Sequence, residues 1–315
     1  MIISASYKTD IPAFYGDWFI NRVRAGYCLV RNPHNSSQIA RVDLRPQAVG
    51  GVVFWTKNFG PFMRHLDELD VNHIPFIIQY TINSYPRTLE RSVVNAQQSI
   101  SHARYLVNRY SQDVFVWRYD TVVVSSATPY EFHVRNFVDL AEQLAGLTDE
   151  VVISFAQFYK KTLRNMEAAS SKYGFTWEDP DWETKQRLIE HFRMVAHENG
   201  MRLSICSQPN LLMPGVNEAR CIDAQRLMRV AGKEFKAKTK GNRDGCMCAE
   251  SKDIGDYDTC PHGCVYCYAV KNSALAKKRY KAHDPEGEFL FTTSDNPPAP
   301  SSQQEGNEQP DLFEQ

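Results

Sequence analysis

The stretch GVVFWTKN, residues 51–58, indicates the fold class of this chain. Five apolar or glycine residues follow one another without the polar alternation of a half-exposed strand, and the chain then turns polar at Thr56, Lys57 and Asn58. Continuous apolar runs are typical of strands covered on both faces, as in parallel sheets flanked by helices. The polar residues then stand at the carboxyl end of the strand, the edge where such sheets form their sites.

Five other runs of similar character are spread along the chain, at residues 2–7, 75–83, 114–124, 151–158 and 202–210. Helical patterns lie between them, so six strands alternate with helices. This order predicts an α/β fold with a parallel sheet built from βαβ crossovers. The pattern itself leaves open whether the sheet curls into a barrel or stays open and doubly wound. YCLVRN and IARVDL, which flank PHNSSQ, predict a hairpin beside this sheet.

Polar capping residues and glycines mark the predicted helix ends. One helix is expected from Asp10 to Gly26, a second from the capping box TPYE (128–131) to Gly146, and a third from Asp181 to Gly200.

Polar residues end all six predicted strands, which favours a pocket at that edge of the sheet. The residues expected to bind a cofactor there are Ser6, Gln79, Ser154 and Gln208. Arg118 and Asp120 alternate on one strand and share a face, so they are a catalytic pair if that face lines the pocket and a surface pair if it does not. Cys206, the third catalytic candidate, either faces the substrate as a hydrogen donor or packs as a small buried residue.

Composition limits the function classes. The chain has 315 residues, a formal net charge of −1 and no apolar run long enough to cross a membrane. The start MIISASYKTD lacks the features of a secretory signal, so we expect a cytoplasmic protein with reduced thiols. Five of its eight cysteines lie within residues 246–267, and such clustering favours metal binding over disulfides.

The densest cysteine pattern is CPHGCVYCYA, residues 260–269. Cys260, Cys264 and Cys267 have the spacing Cys-x3-Cys-x2-Cys, with Tyr266 before the last cysteine. Zinc is disfavoured, because pairing this loop with the tight Cys-x-Cys at 246–248 leaves a thiolate over. A four-iron, four-sulfur cluster (4Fe–4S) fits better, with three irons held by the loop and one left open. His262, inside the loop, is expected to be exposed rather than a ligand.

This cysteine loop resembles the cluster-binding loop of the radical S-adenosylmethionine enzymes, whose core is a six-strand partial (β/α) barrel. The resemblance implies that S-adenosylmethionine binds the open iron, with Tyr266 near its adenine, and that an electron donor starts a radical reaction. In that superfamily the loop follows the first strand, whereas here it lies near the C-terminus. A Gly-Gly-Glu segment of the kind that contacts the methionine amino group is also missing, since Gly50-Gly51 is followed by Val52.

A second resemblance covers roughly residues 1–283. The stretches ISASYKTDIPAFY, VFWTKN and CMCAESKDIGDYDTCPHGCVYCYA are similar to those of a bacterial family, domain of unknown function 1848. It implies a radical-SAM-like cluster at the C-terminal end and brings no established substrate.

The roles of Cys246 and Cys248 leave alternative metal sites open. Either one could be a fourth ligand, which would make a closed electron-transfer cluster, or both could bind a second metal or be spare thiols. In a further alternative the cysteines hold structural zinc in a nucleic-acid-binding or scaffolding protein. The favoured hypothesis is an enzyme with an open three-cysteine cluster.

The predicted layout has three parts: a barrel-like core (1–235), a cysteine-rich cluster segment (236–283) and a disordered acidic tail (284–315). Basic residues are concentrated at 226–243 and 271–281, which suits a nucleic acid as well as a solvated helix face. In the tail, Gln309 to Phe313 (QPDLF) is similar to the motif by which bacterial repair and replication proteins dock on the sliding clamp.

Overall fold

A computed structural model describes residues 1–241 and 245–292. Its centre is an eight-stranded sheet in the order β11-β10-β8-β6-β5-β4-β1-β12. The strands are β1 (Ile2–Ala5), β2 (Tyr27–Asn32), β3 (Asn35–Asp43), β4 (Gly51–Thr56), β5 (Phe76–Thr81), β6 (Phe115–Val122), β7 (Val124–Ser125), β8 (Glu150–Phe155), β9 (Trp177–Glu178), β10 (Arg202–Ile205), β11 (Asn217–Glu218) and β12 (Ser251–Asp253).

Helices connect most of these strands. They are α1 (Ile11–Phe14), α2 (Gly16–Ala25), α3 (Leu66–Val71), α4 (Ala96–Arg109), α5 (Tyr130–Leu144), α6 (Lys160–Tyr173), α7 (Trp182–Glu198), α8 (Ala224–Ala231) and α9 (Ser273–Lys281). No helix in the described residues is long and apolar enough to cross a membrane.

The predicted parallel α/β sheet is confirmed. The six expected strands are β1, β4, β5, β6, β8 and β10, and all strand pairs within the large sheet are parallel. The predicted number of six strands was wrong, because β11 and β12 extend the sheet at its two edges and make it eight-stranded. These edge strands are two and three residues long and polar, so they carry no hydrophobic period. The sheet remains open rather than closing into a barrel.

The two faces of the sheet bury different partners. Side chains such as Val52 and Phe54 belong to the main core, which helices α1 to α7 cover. Val53, from the opposite face of the same strand, packs in a smaller core with Leu227 of α8 and with several cysteines. Alternation along each strand therefore divides the sheet between an aliphatic and aromatic face and a face with thiols.

The local predictions came out differently. The hairpin is confirmed as the antiparallel pair β2–β3. The first helix is broken at Tyr15 into α1 and α2. TPYE does not act as a capping box, because the Thr128 hydroxyl donates to the Val123 carbonyl while Pro129 occupies the N-cap without a side-chain bond.

A buried carboxylate joins the C-terminal segment to the first strand. Asp253, at the end of β12, accepts hydrogen bonds from Ser4 Oγ (2.8 Å) and Ser6 Oγ (2.7 Å), and it forms an ion pair with Lys8 at 3.6 Å. Gly255 is needed beside it, since a Cβ there would lie 2.1 Å from Ser6 Oγ. Asp253 therefore organises the edge of the sheet.

The segments assigned as separate parts pack together. β12 joins the main sheet, and Ile254 and Tyr266 enter its core. Residues 284–292, expected to begin the disordered tail, pack against α2 and β2: Trp18 Nε1 donates to the Gly287 carbonyl at 2.9 Å, and Leu290 is buried. Residues 293–315 lie outside the described part of the chain.

Asp253→Ala should lower the free energy of unfolding by about 3–5 kcal/mol, because it leaves the buried Lys8 ammonium without its counter-ion. The control is Glu250→Ala, since Glu250 and its partner Lys240 are each half exposed and such a pair is worth about 0–1 kcal/mol. Urea unfolding of both variants measures the difference. Equal losses would contradict the anchoring role of Asp253.

Candidate functional site

A cavity of ≈ 250 Å³ opens at the carboxyl ends of the strands. Its wall includes residues at or just after six adjacent strands, namely Ser6, Lys57, Thr81, Asp120, Ser154 and Cys206. Six strands laid flat would spread these residues over about 24 Å. The carboxyl ends of these six strands therefore all border one cavity.

The cysteine loop closes one side of this cavity, and backbone hydrogen bonds hold it there. Val265 N donates to the Leu89 carbonyl at 3.0 Å, and Ser92 N donates to the His262 carbonyl at 2.9 Å. Gly263 has φ +74°, which permits the tight turn between the first two cysteines. Contacts within the protein itself therefore hold the cysteine loop against residues 89–92.

The three loop thiols lie on the cavity wall and form no disulfide. Burial raises the pKa of Cys260, and the negative charges of Asp10 and Cys267 raise it further. Burial also raises the pKa of Cys264, where the Lys57 ammonium opposes the effect. The thiols are therefore close enough for their thiolates to repel one another, and deprotonating all of them requires nearby positive charge.

His262 is a correction to the sequence-based expectation. Its side chain is 3 % exposed, and its Nε2 donates to Asp10 Oδ2 at 2.7 Å. Asp10 also accepts from Thr56 Oγ1 at 2.8 Å and from Lys57 N at 2.7 Å. One carboxylate thus connects the β1 and β4 ends to the cysteine loop, which explains why His262 is buried.

Tyr266 sits in a second buried network. Its hydroxyl donates to Glu90, and Lys57 Nζ lies 3.2 Å from that hydroxyl and 2.9 Å from Glu90 Oε1. Burial raises the pKa of Glu90, but Lys57 and the hydroxyl outweigh it, so the pKa falls below the ordinary value. Burial lowers the pKa of Lys57, and the charges of Glu90 and Cys264 raise it above normal.

Arg118 and Asp120 face the cavity and are ion-paired at 2.5 Å. The Ser154 hydroxyl donates to Asp120 as well. Burial raises the pKa of Asp120, but the Arg118 guanidinium and Ser154 hold it below its usual range. The reading as a surface pair is thereby excluded.

The remaining predicted residues divide into two groups. Ser6 and Cys206 line the cavity, as do Cys246 and Cys248. Gln79 and Gln208 lie outside its wall: Gln79 Nε2 donates to the Cys221 carbonyl at 2.8 Å, and Gln208 Oε1 accepts from Phe155 N at 2.8 Å. Both glutamines support the backbone around the cavity.

The described residues contain no group of three or more His, Cys, Asp or Glu side chains placed to hold a metal ion. The ligands of an iron–sulfur cluster each bind a different iron and so need not converge on one point. Three thiols spread over one wall, beside the Lys57 ammonium, suit the donor set of a cluster.

The family model described as domain of unknown function (DUF1848) matches residues 2–269. The chain belongs to the DUF1848 family. The matched region runs from β1 past Cys267 and includes every residue of the cavity wall. No curated protein and no solved structure matches the chain.

Two residues of the DUF1848 site carried no recognisable sequence signal. Glu90 lies in an irregular segment between β5 and α4, and Asp10 was interpreted only as a helix start. Each lies far along the chain from the cysteine loop that it contacts. Pairs so distant in sequence leave no local pattern to detect.

Glu90→Gln should cost about 3 kcal/mol of stability at neutral pH, because it leaves Lys57 buried without its counter-ion. The wild-type carboxylate has a lowered pKa, so its contribution is present above the ordinary value of 4.5 and is lost as the pH falls through the folded-state value. The gap between wild type and variant should therefore narrow below pH 4.5. Denaturant unfolding between pH 7 and pH 3 measures it, with the exposed Glu142→Gln as control. A gap independent of pH would contradict the assignment.

Proposed function

We propose that this protein is an iron–sulfur enzyme of the radical S-adenosylmethionine type. Cys260, Cys264 and Cys267 would hold a 4Fe–4S cluster, and the cavity beside them would bind S-adenosylmethionine and a substrate. When bound, such a cluster supplies the electron for reductive cleavage of the sulfonium of S-adenosylmethionine, which starts a radical reaction. An external electron donor is required.

The observation that carries this proposal is the position of β12. In the superfamily the cysteine loop follows the first strand of the sheet. Here β12 pairs in parallel with β1 at the sheet edge, and the cysteine loop follows β12. In space, β12 takes the place of a first strand ahead of β1, β4, β5, β6 and β8. A circular permutation of the superfamily core would account for the loop's place near the C-terminus.

An open cluster is favoured over a closed one by the partners of Cys248. Its sulfur accepts a hydrogen bond from Ile222 N at 3.3 Å, and the charges acting on its thiol come from Cys246 and Cys206. The cysteines acting on the Cys264 thiol are instead Cys267 and Cys260. Cys248 therefore interacts with Cys206 and Cys246 rather than with the cysteines of the loop. This favours a cluster held by the three loop cysteines alone.

The protein's own groups have defined tasks in this proposal. Lys57 lies close enough to Cys264 for the thiolate charge to raise the pKa of Lys57. The Lys57 ammonium in turn favours the thiolate form of Cys264. Asp120, held ionised by Arg118, offers a carboxylate to an amino or hydroxyl group of a ligand. Tyr266 is fixed by Glu90 at the cavity wall, where its ring can border the adenine.

Cys264→Ala should abolish assembly of this cluster and any dithionite-dependent formation of 5′-deoxyadenosine. Wild-type protein reconstituted without oxygen should hold about four more irons per chain than the Cys260/Cys264/Cys267→Ala variant. Iron analysis and chromatography of the nucleoside product measure the two effects. Cys28→Ala is the control, since Cys28 is buried in the main core away from the cavity.

Two results would remove parts of this proposal. Stoichiometric zinc without iron would favour a zinc-stabilised nucleic-acid-binding or scaffolding protein. A cluster that forms but never cleaves S-adenosylmethionine would favour a closed, electron-transferring centre.

A nucleic acid is the proposed substrate class, although only part of the basic sequence supports it. Arg226 is fully buried and ion-paired with Asp149 at 2.6 Å, so it stabilises the fold, whereas Arg229 is half exposed and pairs with Asp113 at 2.9 Å. In the described parts of the two basic runs, the exposed basic side chains are Arg229, Lys233, Lys236, Lys238, Lys240, Lys271, Lys277, Lys278 and Lys281. These are the groups available to phosphates.

The proposed protein partner is the sliding clamp, which would bind Gln309 to Phe313. These residues lie outside the described part of the chain, so the sequence alone supports this partner. Leu312 and Phe313 form an apolar pair that a hydrophobic groove would bury.

A peptide covering residues 303–315 should bind purified clamp with micromolar affinity, and replacing Leu312 and Phe313 by Ala should abolish binding. Fluorescence anisotropy measures both, with a peptide in which Glu305 and Glu308 become Ala as the control. Failure of the wild-type peptide to bind at high micromolar clamp would remove this partner and weaken the case for a nucleic-acid substrate.

A further inference from the structure

Seven of the eight cysteines line the one cavity, and the proposed function uses three of them. The other four come from distant parts of the chain: Cys206 follows β10, Cys221 follows β11, and Cys246 and Cys248 precede β12. β10 and β11 lie at the opposite edge of the sheet from β12. This second thiol set nevertheless lines the same cavity as Cys260, Cys264 and Cys267.

The second set is a connected group of thiols. Cys221 Sγ donates to Cys206 Sγ at 3.5 Å. The hydrogen bond with Cys221 lowers the pKa of Cys248, whereas its hydrogen bond with Cys246 and burial raise the pKa to about 12. Each of the four thiols therefore contacts at least one other. The set forms no disulfide.

Hydrogen-bond donors are directed at these sulfurs from outside the set. Arg118 Nη1 donates to Cys221 Sγ at 3.0 Å, and Ile222 N donates to Cys248 Sγ at 3.3 Å. Arg118 is 4 % exposed, so its guanidinium sits beside the thiols in a site with little water. Donors of this kind stabilise negative charge on sulfur and orient metal ligands. Small buried residues that only fill space would not need them.

Four cysteine thiolates are the ligand set of structural zinc and of all-cysteine iron–sulfur clusters. Two thiolates on one tetrahedral zinc stand about 3.8 Å apart, given Zn–S bonds of about 2.3 Å. The 3.5 Å between Cys206 and Cys221 is close to that spacing. In the described residues no three such side chains converge on one ion position, so metal binding requires the thiols to move closer together.

We propose that Cys206, Cys221, Cys246 and Cys248 bind a second thiolate-ligated metal centre, distinct from the cluster proposed at Cys260, Cys264 and Cys267. The centre takes a soft metal, as a single zinc ion or as an iron–sulfur cluster. With four protein thiolates it has no open position, so it stabilises the cavity wall or carries electrons and does not bind S-adenosylmethionine. This inference is independent of the proposed function, because it requires nothing of the first cysteine loop.

The test uses the full chain with Cys260, Cys264 and Cys267 replaced by Ala, which removes the first set. One sample is supplied with Zn²⁺ alone and another with iron and sulfide without oxygen, and unbound metal is removed by gel filtration. The variant should retain about one zinc ion or one cluster per chain. X-ray absorption should show sulfur as the only directly bonded ligand atom, at about 2.3 Å for zinc. The sample that retains metal identifies the centre.

Further replacement of Cys206, Cys221, Cys246 and Cys248 by Ser should remove this metal, whereas further replacement of Cys28 should not. Circular dichroism checks that each variant is folded. Should the triple variant fail to fold, metal in wild type is compared with metal in the quadruple Ser variant alone, and the wild type should hold one centre more. A folded triple variant that binds neither metal, or equal metal in wild type and quadruple variant, would overturn the proposal.

Discussion

The parallel pairing of β12 with β1 is the constraint on which the rest of this structure depends. It brings the last strand of the chain beside the first, so the cysteine loop leaves the sheet at the same edge as the polar ends of β1 and β4. Residues 254–269 continue from that pairing, and backbone hydrogen bonds with Leu89 and Ser92 then hold the cysteine loop at the cavity. The pairing involves only three residues on each strand, and the buried Asp253 secures it through Ser4, Ser6 and Lys8.

Two other buried carboxylates also join segments that are distant along the chain. Asp10 connects the ends of β1 and β4 to His262, and Glu90 connects Lys57 to Tyr266. A carboxylate is costly to bury unless hydrogen-bond donors or a counter-ion compensate its charge, and Asp10 and Glu90 each have partners from separate segments. Their stability therefore depends on the whole cavity wall being assembled. This couples the geometry of the cysteine loop to the folding of the core.

Much of the fold could be predicted from the sequence, because long apolar strands and capped helices leave periodic local patterns. The six central strands, the β2–β3 hairpin and α7 behind the Asp181 cap are of this kind. The edge strands β11 and β12 were missed because two or three polar residues have no period. His262 was misplaced because its burial depends on Asp10, which lies at the other end of the chain.

The sequence by itself determined the spacing of Cys260, Cys264 and Cys267, since three thiols within eight residues stay close in almost any loop conformation. It also determined the polar ends of the strands, because parallel strands place their carboxyl ends at one edge. Only the tertiary structure decided that Cys206, Cys221, Cys246 and Cys248 share the same cavity. Their contacts arise from the order of the strands in the sheet and from the return of the chain to β1. Those are properties of strand order, which no local stretch of residues encodes.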